Sequence, residues 1–184
     1  MERPRILWYL FHPDRAHSLG NAALLEAVKQ VHGATFVDAY AEFGDRPIDV
    51  PAQQGLLTRH DLVVFQHPFY WYSCPPLMKA WIDQVFTRGF AYPAGEGQAL
   101  RGKHWLSVVT TGALAGAYQP GGSNHYSMAE LLRPFQATAN LCGMRWHPAF
   151  VVHGLRPGTA GVEAMLSART AELAATLNGI DLKS

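Results

Sequence analysis

Apolar and polar positions fall into alternating blocks along the chain. Ile6 to Phe11 (ILWYLF), Leu62 to Gln66 (LVVFQ) and Trp105 to Thr110 (WLSVVT) are almost continuously apolar over strand length. That is the pattern of strands buried on both faces. Ala34 to Tyr40 (ATFVDAY) is a weaker second strand, and Arg145 to Val152 holds a fifth. Between them the apolar period lengthens. Ser18 to His32 carries Leu24, Leu25, Val28 and Val31 at helical spacing, and Gly33 stops it. Pro75 to Thr87 predicts a helix with proline in its first turn, where the missing N–H costs little. Leu77, Trp81, Ile82 and Val85 form its apolar stripe, with Gly89 beyond its end. Ser127, with Glu130 three residues on, predicts a capping box opening another helix. Pro134 falls inside that helix and predicts a kink or a restart. Thr159 to Leu177 predicts a final, alanine-rich helix.

Buried strands alternating with amphipathic helices define an α/β domain, a parallel sheet covered on both faces. The 184 residues suit one domain, expected to run from 1 to 184, and 48% of them are apolar, enough for a substantial core. Net charge is +1 with no basic run, which argues against nucleic acid as a ligand. No apolar run approaches the ~18 residues of a membrane span. The N-terminal MERPRILWYLFHP lacks a small-residue cleavage site and reads as a first strand. Two cysteines, Cys74 and Cys142, make no disulfide framework and suit a reducing cytoplasm.

Several motifs fail on inspection. GQALRGKH (Gly97 to His104) is one residue short of a phosphate-binding P-loop, puts His104 at the magnesium-ligand position, and leads into a strand. No G-x-G-x-x-G follows the first strand. GGSNH (Gly121 to His125) lacks the last glycine of a nucleophile elbow. Nine histidines include no metal-ligand spacing. His32, His60, His104, His147 and His153 read as ordinary core or surface residues.

In open parallel sheets, ligands bind beyond the carboxyl ends of the strands, at a switch in strand order. The order 2-1-3-4-5 would bring three loops together there. The first holds His12 and then His17, Ser18, Leu19, Gly20 and Asn21 at a helix start, where free N–H groups suit an anion. Plain capping by Ser18 is the competing explanation. The second holds Phe69, Tyr70, Trp71 and Tyr72, too many consecutive aromatics to share one core. The third, one of two long glycine-rich loops (Arg88 to Lys103 is the other), begins Thr110, Thr111, Gly112. Anion donors, ring faces and polar edge donors at one place fit flavin mononucleotide.

The quoted loops and strands resemble a known family. FQHPFYWYSCPPLMKAWIDQVF (Phe65 to Phe86), RGFAY, VVTTG and LLRPFQATANLCGM are similar to the flavodoxin-like NAD(P)H:quinone oxidoreductases. They resemble more closely the ancillary proteins of glutathione-regulated potassium-efflux systems. The likeness runs from about Arg5 to His153. It implies a flavodoxin-like, doubly wound, five-stranded sheet, a homodimer, and FMN as cofactor, with FAD the alternative. His12 and Ser18 to Asn21 would hold the phosphate. Phe69 to Tyr72 would line the flavin ring, and Thr110, Thr111, Gly112 and Ala113 its polar edge. Tyr118 matches the family's tyrosine near the reacting ring; Asn124 stands in the register of its histidine partner, with His125 beside it. The substrates implied are NAD(P)H and a quinone-like acceptor. The other role implied is regulation, on a membrane potassium-efflux protein, from the cytoplasm.

Overall fold

The computed structural model describes residues 5–31, 33–92, 98–156, 158 and 160–180. His32, Gly97 with the rest of 93–97, and Thr159 lie outside them. Among the described residues β1 (Ile6–Leu10), β2 (Ala34–Asp38), β3 (Leu62–Pro68), β4 (His104–Thr110), β5 (Arg145–Trp146) and β6 (Phe150–Val152) form one parallel sheet. Its order is β2-β1-β3-β4-β5, with β6 also paired to β4. The expected fifth strand is therefore two short strands. β5 pairs with the start of β4 (Trp105↔Trp146) and β6 with its end (Thr110↔Val152), and residues 147–149 break the ladder.

Period-two alternation sends neighbouring strand residues to opposite layers. Leu7, Tyr9, Phe65 and Trp105 enter one core, against α3 (Ala39–Phe43), α4 (Val50–Arg59), α5 (Pro76–Val85) and α7 (Arg133–Leu141). Ile6, Trp8, Val64 and Val108 enter the other, against α1 (Leu19–Leu24), α2 (Glu26–Gln30) and α8 (Val162–Gly179). The first core is an aromatic stack: Trp81 lies 4.7 Å from Tyr9, and Trp105 lies 4.3 Å from Phe65, between ring centroids.

The helix expected from Ser18 to His32 is interrupted at Leu25, giving α1 and α2. Pro134 acts as anticipated. α6 (Met128–Leu131) ends at Leu132, and α7 starts with proline in its first turn, where no backbone donor is wanted. The Ser127–Glu130 capping box is formed in both directions. Two helices, α3 and α4, have no counterpart in the apolar pattern. In VPAQQGLLTR the pattern is weak, and the helix is announced instead by Asp49, whose carboxylate accepts from Ala52 N–H at 3.0 Å, and by Pro51 in its first turn. No helix among the described residues is long and apolar enough to cross a membrane.

Candidate functional site

Strand order β2-β1-β3-β4 puts the loops after β1, β3 and β4 at one end of the sheet. A cavity of about 590 Å3 opens there, within the usual range for a small-molecule or cofactor site. It is lined by His12, Ser18, Leu19, Gly20 and Asn21 from the first loop, Phe69 and Tyr70 from the second, and Thr110, Thr111 and Gly112 from the third. Of the residues picked out in sequence, Trp71, Tyr72, Ala113, Tyr118 and His125 are not part of this lining.

Behind the first loop lies a buried polar chain. The Trp8 indole N–H donates to Gln66 Oε1 at 2.9 Å. Gln66 Nε2 donates to both the main-chain and side-chain oxygens of Asn21, at 2.9 and 3.1 Å. Asn21 Nδ2 then donates to Ser18 Oγ and Thr110 Oγ1, each at 3.0 Å. Both amide hydrogens of Asn21 are thus committed to the protein, and the residue is 1% exposed. Asn21 braces the site more than it faces a ligand. Ser18 makes no side-chain capping bond to α1, so simple capping does not explain it. The N–H groups of Leu19, Gly20 and Asn21 form the first turn of α1 and have no acceptor within it. At Gly20 a Cβ would run into Leu155 Cδ1, so the absent side chain lets Leu155 close the cavity wall.

His12 Nδ1 accepts from Asp14 N–H at 3.0 Å, which leaves the ring proton on Nε2. Burial, against the opposing pull of Asp14, pushes its pKa below the ordinary value, so it is a neutral donor at pH 7. Asp14 also lines the cavity, a carboxylate where an anion is expected. His17 offsets it. His17 Nδ1 donates to Asp14 at 2.8 Å, and this hydrogen bond is the main cause holding the Asp14 carboxyl below its usual range. Arg156 completes the wall, its Nε donating to Gly112 O at 2.9 Å. Asp14, Leu155 and Arg156 carried no local motif in the sequence. The signal for the polar chain was there, in a lone glutamine ending an apolar strand.

The aromatic loop is a tight turn. Ser73 N–H donates to Tyr70 O at 2.9 Å, and the two central residues, Trp71 and Tyr72, take φ of 48° and 61°. That is the pattern of a type I′ turn, which favours glycine and asparagine. Trp71 is 92% exposed, so its indole stands in solvent, and the aromatic residues that line the cavity are Phe69 and Tyr70. Tyr72 Oη donates to Asn124 Oδ1 at 3.1 Å, tying this turn to the loop after β4.

Tyr118 ends a single 3₁₀ turn, Ala115–Ala117, and is half-buried. Its ring packs edge-on to Phe69 at 5.9 Å and tilted against His153 at 5.3 Å. His125 is exposed, with a left-handed φ of 61°. Asn124 donates its N–H to Ala117 O at 2.9 Å. The imidazole that meets Tyr118 is therefore His153, from the segment after β6, which sequence reading placed among ordinary histidines.

The fold defines a class, and comparison with known proteins agrees. A family model described as a flavodoxin-like fold (Flavodoxin_2) matches residues 4–177, and the chain belongs to this family. The glutathione-regulated potassium-efflux system ancillary protein KefG of Pectobacterium carotovorum is 49% identical over 149 residues, 80% of this chain and 81% of that protein. The crystal structure of general stress protein 14 from Treponema denticola in complex with FMN superposes with a TM-score of 0.89 at 35% identity, covering 97% of this chain and 100% of that one. An NADPH-quinone reductase from P. pentosaceus superposes at 0.82 with 29% identity, covering 96% and 99%.

Proposed function

We propose that this chain is an FMN-dependent NAD(P)H:quinone oxidoreductase acting on a quinone or related acceptor. The observation that carries the reading is the cavity itself. The first turn of α1 and the neutral His12 line it together with Thr110, Thr111, Gly112, Phe69 and Tyr70. These groups fit FMN: the α1 first turn, His12 and Ser18 suit its phosphate, and Phe69 and Tyr70 suit its ring. FMN is favoured over FAD because, among the described residues, no further segment lines the cavity to hold an adenosine. The FMN complex of general stress protein 14 supports the same choice.

Bound FMN would supply a two-electron carrier of hydride between a nicotinamide nucleotide and the acceptor. The remaining work falls to the chain. The buried brace from Trp8 to Asn21 holds Ser18 and Thr110 in place without further ordering on binding. Tyr118 offers a hydroxyl to charge developing on the acceptor oxygen, an interaction typically worth a few kcal/mol in a dry site. His125 lies on the same loop, exposed and outside the cavity lining. Donor and acceptor use one cavity in turn, which makes the kinetics ping-pong. A homodimer is part of this reading, with the exposed side of α5, at Lys79 and Asp83, contributing to its surface.

The KefG likeness favours a second reading, an ancillary subunit of a potassium-efflux system whose bound flavin matters more than its turnover. Purified protein separates the two. A flavin absorbance spectrum, with FMN identified after release, is expected under both. Quinone-dependent NADPH oxidation that falls tenfold or more in Tyr118→Phe, with flavin content unchanged, supports the enzyme. An equally low rate in both proteins supports the ancillary role. Colourless protein that takes up no FMN refutes both.

A further inference from the structure

His153 lies between Thr111, which lines the cavity, and Tyr118, which stands outside the lining. Its Nδ1 is 3.0 Å from Thr111 Oγ1, and Thr111 Oγ1 donates its single hydrogen to Ala113 O at 2.8 Å. Thr111 can therefore only accept from His153, so the imidazole proton sits on Nδ1 and the lone pair on Nε2. The backbone on either side is clamped. Thr111 N–H donates to Val152 O, Gly154 N–H to Ala113 O and Leu155 N–H to Thr111 O, at 2.9, 3.0 and 2.9 Å. The other side of the ring meets Tyr118, centroids 5.3 Å apart, and Tyr118 in turn meets Phe69.

We propose that His153 is a positioning residue for the acceptor side of the site. Locked in the Nδ1–H form, it holds the Tyr118 ring against Phe69. It also keeps the Thr111 hydroxyl turned to Ala113 O and out of the cavity. The inference rests on the oxidoreductase reading for its kinetic consequence, but not for the contact.

Its protonation state follows from its surroundings. The charged and titratable groups facing it are Arg169 from α8 and the Tyr118 phenol; Arg156, three residues on, is turned to Gly112 O. Arg169 is itself fixed, donating to Val151 O at 2.9 Å with its guanidinium 4.1 Å from the Phe150 ring centre. Burial first, and Arg169 second, disfavour a proton on Nε2. His153 is thus neutral at pH 7. Acid adds a charge beside Tyr118 without breaking the Thr111 bond, which Nδ1–H donates in either state.

Two measurements test this on the full chain with FMN bound. Long-range proton–nitrogen NMR of the imidazoles is expected to show His153 protonated at Nδ1 and titrating below 6.5, with Tyr118 ring signals moving in the same transition. A proton on Nε2, or Tyr118 signals blind to that transition, overturns the proposal. Kinetically, His153→Gln keeps a donor for Thr111 but neither stacks as a ring nor titrates. It is expected to lower kcat for quinone reduction about tenfold, leave FMN retention within threefold, and abolish the acid limb of the kcat profile. An unchanged rate and profile would reduce His153 to packing. Wild-type protein with no turnover sinks the oxidoreductase reading alone, and the NMR outcome still decides the His153–Tyr118 coupling.

Discussion

The loop after β1 and the loop after β3 contribute to one cavity by opposite physical means. The first is organised from behind: Ser18 and Thr110 are held by Asn21, Asn21 by Gln66, and Gln66 by Trp8, all but Ser18 buried. The second is organised from in front. It turns through two aromatic residues at positive φ, with Trp71 in solvent, and is tethered at its tip by one exposed Tyr72–Asn124 bond. Left-handed backbone at a residue with a Cβ costs ~1–2 kcal/mol. Buried hydrogen bonds in a linked chain are costly to leave half-made. The phosphate end of the proposed site is thus preformed by the fold. The aromatic turn holds a conformation that its own residues disfavour, which is common where a ligand or partner completes the structure.

Breaking the rear brace has the largest expected effect. Gln66→Leu strands the Trp8 indole N–H and removes the donor to both Asn21 oxygens. With ~1–3 kcal/mol for each buried group left unpaired, a loss of about 3–4 kcal/mol is expected in urea unfolding. FMN affinity should fall with it, because Ser18 and Thr110 lose their common anchor. A variant of wild-type stability would show that the chain of bonds is incidental.

Acid probes the base of the aromatic turn. His67 is fully buried beneath it, beside Phe135 at 5.8 Å, and its Nδ1 donates to Pro68 O at 2.9 Å. Nε2 is buried without a hydrogen-bond partner. Burial lowers its pKa from 6.5 to about 4. Between those values the unfolded chain binds a proton that the folded chain refuses. The stability His67 contributes is complete above pH 6.5 and is lost as pH falls toward 4, at ~1.4 kcal/mol per unit, or about 3 kcal/mol in all. Unfolding measured from pH 7 to 4 should show this slope, and His67→Asn should flatten it.

Replacing Trp71 by glycine sharpens the contrast at the turn. Relief of the positive φ and the greater freedom of unfolded glycine offset each other, so stability should change by less than ~1 kcal/mol in urea. FMN affinity should move less than threefold for Trp71→Ala and at least tenfold for Tyr70→Ala, since Tyr70 and not Trp71 faces the cavity. Equal losses would put the indole back on the flavin. The smallest effect is expected of Tyr72→Phe, which removes one exposed hydrogen bond. A change under ~0.5 kcal/mol is expected from the same unfolding measurement.

The parallel sheet and its two helical layers were legible in the apolar pattern; the strand order, and with it the convergence of three loops, came from the family resemblance. Continuous apolar runs alternating with amphipathic helices suit strands buried on both faces of a parallel sheet. The Ser127–Glu130 cap and the restart at Pro134 were legible too, because capping and proline chemistry act within a few residues. What escaped the pattern was nonlocal. Asp14, Leu155 and Arg156 join the cavity from segments with no motif of their own. The aromatic run announced a surface, but a two-residue turn decided that Trp71 points to solvent. In the chain, His125 was the nearest imidazole on the Tyr118 loop. Packing instead brings His153 to Tyr118, because the ladder between β4 and β6 continues past Thr110 and carries the residue after Val152 to that side. Contacts across a sheet follow strand register, which a residue's neighbours in sequence do not encode.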